Sequence, residues 1–119
     1  MNNVCTFALG TTGQQLRLYA TIWSATQLST VWSSAIGVME PWTLANHANY
    51  AVGMTEIGQT GVYQFSFPPS LQNIGETYDV IVWRRATNGA TPSQTDEKVG
   101  QGTHVFTAGK VEQIQVSTA

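Results

Sequence analysis

Apolar residues recur at every second position through most of this chain, and glycine, proline and asparagine break the alternation at short intervals. Such a pattern predicts strands that turn one face inward, joined by tight turns. Over residues 3–9, Cys5, Phe7 and Leu9 share a face, and the GTTG run from Gly10 turns the chain. Over 16–23, Leu16, Leu18, Ala20 and Ile22 alternate with Arg17, Tyr19 and Thr21, which predicts a strand with a single buried face. A short strand over 29–33 carries Val31 and Trp32. Residues 35–49 lose the period and hold Gly37, Pro41, Asn46 and Asn49, so they read as a long connection between sheets, with room for one helical turn over 43–46.

Alternation resumes over 50–56 through Tyr50, Val52 and Met54, and EIGQTG leads into a strand over 62–67, where Tyr63, Phe65 and Phe67 share a face. Pro68 and Pro69 stop it, because proline has no N–H to give a ladder. Over 77–84, Tyr78, Val80 and Val82 face one way and Asp79, Ile81 and Trp83 the other. Both faces are partly apolar, which predicts a central strand whose outer face is covered by a loop or by another chain. NGATPSQTD over 88–96 is loop chemistry, and short strands over 99–107 and 111–116 close the chain. About seven or eight strands with no helix beyond one turn predict an all-β, two-sheet antiparallel sandwich, immunoglobulin-like, with a jelly roll or small barrel as the alternative.

Composition narrows the picture. At 119 residues, without a repeat or a linker, the chain is expected to form a single domain over 1–119. Charged residues make up 10% of it, against roughly 25% in ordinary soluble domains. Thr, Ser, Gln and Asn take their place at the surface. Net charge is −2, and Arg17, Arg84, Arg85, Lys98 and Lys110 are scattered, which argues against a nucleic-acid partner. No polybasic amphipathic run or long apolar stretch points to a membrane. Cys5 is the sole cysteine, so packing must supply the stability that an internal disulfide cannot. The opening MNNVCTFALG lacks the basic region of a secretory signal, and synthesis in a cytoplasm is expected.

Little chemistry gathers in the sequence. His47 and His104 have no partner at ligand spacing and read as surface or hydrogen-bonded imidazoles, so no metal and no cofactor is expected. Glu40, Glu56, Glu76, Asp79, Asp96, Glu97 and Glu112 fall at turn edges or exposed strand positions. A nucleophile elbow and a P-loop are absent, and Gly100 to Gly102 lacks the third glycine of a dinucleotide site. Cys5 reads as a small buried hydrophobe. The chain is therefore read as a non-enzyme, and its aromatic residues carry the candidate interface: Trp23, Trp32, Trp42 and Trp83, with Ile81 beside the last. Sandwich cores hold a large aromatic side chain, which gives Trp32 and Trp83 an even claim to the core. Trp42, next to Pro41 in an irregular loop, is expected to face a partner.

MTEIGQTGVYQFSFP over 54–68 and GETYDVIVWRRATNGATPSQTDEKVGQG over 75–102 set Thr55, Glu56, Gly61, Tyr63, Pro68, Gly75, Tyr78, Pro92, Asp96 and Gly100 in order, with Val31 and Trp32 upstream. In these residues, across most of its length, the chain resembles small immunoglobulin-like β-sandwich virion proteins of tailed bacteriophages and related prophages. Phe106 departs from that pattern, which has a tryptophan before the glycine of the last hairpin. The resemblance implies a non-enzymatic virion structural protein made in the host cytoplasm. The foremost expectation is a capsid cement or decoration protein that docks in many copies on the shell, and the alternative is a tail or baseplate adaptor or fibre-associated module. The implied partners are the major capsid protein or tail proteins, together with further copies of the chain as a homo-oligomer. A carbohydrate-binding module is the rival expectation, with two or three exposed tryptophans as a stacking platform.

Overall fold

A computed structural model describes residues 4–107, 110–112 and 117–118, and in it the alternation becomes two facing antiparallel sheets. The smaller sheet sets β1 (Val4–Ala8) beside β7 (Val62–Ser66) and β7 beside β6 (Thr55–Glu56). The larger one runs in the order β10 (Lys110–Glu112), β9 (Glu97–Thr107), β8 (Thr77–Arg84), β2 (Leu18–Ser24), β3 (Thr30–Ser33) and β4 (Val38–Pro41). Two short pieces extend it, β5 (Val52–Gly53) on β2 and β11 (Ser117–Thr118) on β9.

The core lies between the sheets. Cys5, Phe7, Tyr63 and Phe65 enter it from the small sheet, and Leu18, Ala20, Ile22, Val80 and Val82 from the large one. Each side chain fully withdrawn from water contributes about 1.5–3 kcal/mol, which helps to hold two layers that share no ladder among the described residues. At one end Phe67, Tyr78, His104 and Phe106 stack together, with the His104 ring 4.4 Å from Phe67 and 4.7 Å from Phe106 between centroids.

Several expectations need correction. β4 lies within the segment read as a connection; its alternation spans only four residues, Val38–Pro41, and only its middle two, Met39 and Glu40, are partly covered, so the pattern had little amplitude. The helical turn is a 3₁₀ turn at His47–Tyr50, later than the 43–46 expected. The strand expected over 50–56 is two, because the chain passes at the buried Met54 from β5 in one sheet to β6 in the other. Leu16, expected to face the core, is exposed and precedes β2. β2 is buried on both faces instead of one: Tyr19 and Thr21 are sealed from solvent along with Leu18, Ala20 and Ile22. Residues 113–116 of the last expected strand lie outside the described residues.

The central position expected for 77–84 is borne out, with β8 between β2 and β9. The β8–β9 register shifts between Val82 and Trp83: Val82 pairs with Gly100 and Trp83 with Lys98. Val99 is the extra residue of this bulge and turns into the core, while Lys98 stays on the outer face with Trp83.

Candidate functional site

Three of the five expected interface residues come together on the outer face of the large sheet. β2 presents Tyr19, Thr21 and Trp23 there, registered against Trp83, Ile81 and Asp79 of β8. Thr21 is the centre of the arrangement. Its hydroxyl oxygen accepts the indole N–H of Trp23 at 2.8 Å and that of Trp83 at 2.9 Å. Both half-buried rings therefore cover the threonine and turn their single polar atom inward, so what they offer to a partner is ring carbon, flanking Ile81. The rim is polar: Thr103 donates to Asp79 Oδ1 at 3.1 Å, and Lys98 Nζ to Gln101 Oε1 at 2.7 Å. Two shallow hollows of about 370 and 390 Å³ meet at Asp79 and Ile81, making one groove across β2, β8 and β9.

The framework beneath this face is cross-linked by polar contacts. The Tyr19 ring carries the Arg85 guanidinium 4.8 Å above its centroid, and its hydroxyl donates to Asp96 Oδ2 at 2.6 Å. Asp96 also accepts the backbone N–H of Ser93 at 2.8 Å, which ties down the loop before β9. Burial, the Asp96 hydrogen bond and the Asp96 charge all push the Tyr19 hydroxyl pKa upward, with Arg85 opposing. At neutral pH it is a fixed donor with no acid–base role.

Trp32 and Trp42 do not join this face. Trp32 is 8% exposed and belongs to the core, because β3 turns it inward opposite Met39 of β4. It is therefore withdrawn from the outer interface. Trp42, expected to face a partner, is half-buried and donates its indole N–H to His47 Nδ1 at 3.2 Å, with the two rings edge-on. His104 overturns the reading of a surface or satisfied imidazole: it is wholly buried and, among the described residues, neither ring nitrogen has a hydrogen-bond partner. Burial lowers its pKa. Cys5 is buried as expected, and burial pushes its thiol up to about 12. Among the described residues no three His, Cys, Asp or Glu side chains are grouped so as to hold a metal ion.

A second concavity opens at one end of the sandwich, where the three-stranded sheet is too narrow to cover the wider one. It measures about 430 Å³ and lies between the β3–β4 hairpin and the 3₁₀ turn Pro69–Leu71. Trp32, Met39, Leu71 and Tyr78 reach it together with the polar Asn73 and Glu76. Nothing in the sequence pattern announced this cleft, which depends on strand order. No protein-family model, curated protein or solved structure matches this chain, so the likeness to phage virion sandwiches rests on its motif residues alone.

Proposed function

We propose that this chain is a non-enzymatic docking domain of a virion, and that it binds its neighbours through the outer face of β2, β8 and β9. The observation that carries the reading is the shared acceptor at Thr21, which leaves Trp23 and Trp83 with no polar atom to satisfy when the face is covered. Desolvating such a surface strands no indole N–H, and large aromatic side chains ringed by polar groups are the usual anchors of interfaces. The resemblance supplies the class of partner, a capsid shell decorated in many copies, with a tail adaptor or fibre-associated module as the variant. Weak contacts made by many copies become durable through multivalency.

The test is cosedimentation of the purified chain with particles from the cells that carry its gene. The wild type is expected to pellet with the particles, and Ile81→Asp or Trp83→Ala to weaken binding by roughly tenfold or more. Because the anchors are uncharged, raising the salt should change little. Particles free of the chain, together with a chain that stays monomeric at high concentration, would end this reading.

A further inference from the structure

The end cleft is separate from the outer face and carries a different inference. Among the four tryptophans, Trp23, Trp42 and Trp83 each place the indole N–H on a protein acceptor. Trp32 does not: among the described residues its N–H has no partner, although the side chain is almost wholly buried. Tyr78, 5% exposed, is in the same position with its hydroxyl. Both residues line the cleft, and neither polar atom is sealed from solvent. The cleft floor thus presents an N–H donor and a phenol to whatever enters.

The lining also selects among occupants. An apolar ligand would strip water from the Trp32 N–H and the Tyr78 hydroxyl and return nothing, a cost that disfavours it. Glu76 is the only charged residue among the described lining side chains, and its charge helps burial to raise the Tyr78 pKa, so an anion would be repelled. A cation would suit Glu76 but would meet the positive end of the Trp32 N–H. A neutral ligand with several hydroxyls answers every group at once. One hydroxyl accepts from Trp32, another donates to Glu76, the Asn73 amide can do either, and carbon-bound hydrogens rest on Met39 and Leu71. The volume, about 430 Å³, falls among small-molecule sites, which run from roughly 300 to 1,000 Å³.

We propose that this cleft binds a neutral saccharide unit, oriented by the Trp32 indole N–H and the Glu76 carboxylate. Glucose, galactose, N-acetylglucosamine and lactose, titrated into labelled protein and followed by NMR, test it. At least one sugar is expected to move the Trp32 indole N–H signal saturably while those of Trp23, Trp42 and Trp83 stay in place. Glu76→Ala and Asn73→Ala, both at exposed positions, should each weaken that sugar's affinity by roughly threefold to tenfold. The proposal fails if no sugar produces a saturable shift, if n-butylammonium chloride reproduces it equally well, or if Glu76→Ala binds as the wild type does. Such a failure leaves the outer-face reading untouched, since no residue of that face is altered.

Discussion

At the scale of the residue, His104 is the group whose environment reaches furthest. Burial among Phe67, Tyr78 and Phe106 lowers its pKa below the ordinary 6.5, so the folded chain keeps the ring neutral where the unfolded chain takes up a proton. The unfolded state then binds more protons, and stability falls as pH drops below that value, by at most about 1.4 kcal/mol per pH unit. Urea midpoints measured from neutral pH down to the onset of carboxylate titration should fall for the wild type and stay level for His104→Phe. Cys5 gives a second expectation. With its thiol pushed up to about 12, it should resist a disulfide reagent at pH 8 in the native state and react at once in urea. The buried Cys5 was legible from its strand phase. His104 was legible in the same way, since it shares the parity of the inward-facing Phe106, but a polar residue type outweighed its position. The role of Thr21 was not legible, because the two indoles that meet on it come from different strands and converge through register alone.

At the scale of the element, single polar atoms fasten loops to strands. The Glu56 carboxylate accepts the backbone N–H of Gly13 at 3.1 Å and of Gly61 at 3.0 Å, while the Tyr63 hydroxyl donates to Thr11 O at 2.6 Å. The loop over 10–15 is thereby clasped against the β6–β7 turn. Glu56, Gly61, Tyr63 and Asp96 are among the motif residues of the virion-protein resemblance, and each has a fastening role here. Gly61 has φ +77°, and a Cβ on it would stand 2.9 Å from the Gly10 carbonyl carbon. Gly61→Ala should therefore cost more than about 1 kcal/mol, read as a lowered thermal midpoint. Thr21→Val keeps the shape of the side chain but leaves two indole N–H groups without their acceptor, and a loss of about 2–4 kcal/mol is expected by urea denaturation. Long strands with strong alternation, β2, β7 and β8, were readable from the pattern. Among the shorter ones, β3 was read, β5 and β6 were read as one strand, and β4 was missed, because a period of two needs more repeats to stand out.

At the scale of the molecule, the large sheet has one edge that resists pairing. The Trp42 backbone N–H donates to Ser29 O at 2.8 Å, and alternation along the β3–β4 ladder then turns the backbone of Pro41, opposite Thr30, away from β3. Proline occupies the place where an N–H would invite a neighbouring strand. Pro41→Thr should restore that donor and promote self-association, visible as a concentration-dependent sedimentation coefficient. The two-sheet sandwich was predictable from alternation with no helix to cover a sheet, whereas the mismatch in sheet widths that opens the end cleft depends on a strand order no local pattern encodes. That mismatch divides the molecule unequally. The β2–β8 ladder holds seven registered pairs, with covered side chains on both of its surfaces, whereas among the described residues no strand ladder joins the small sheet to the large one. Placed in heavy water, the amide protons of that ladder would be the last to vanish, and β1, β6 and β7 would peel off and reseat as a unit long before the chain came apart.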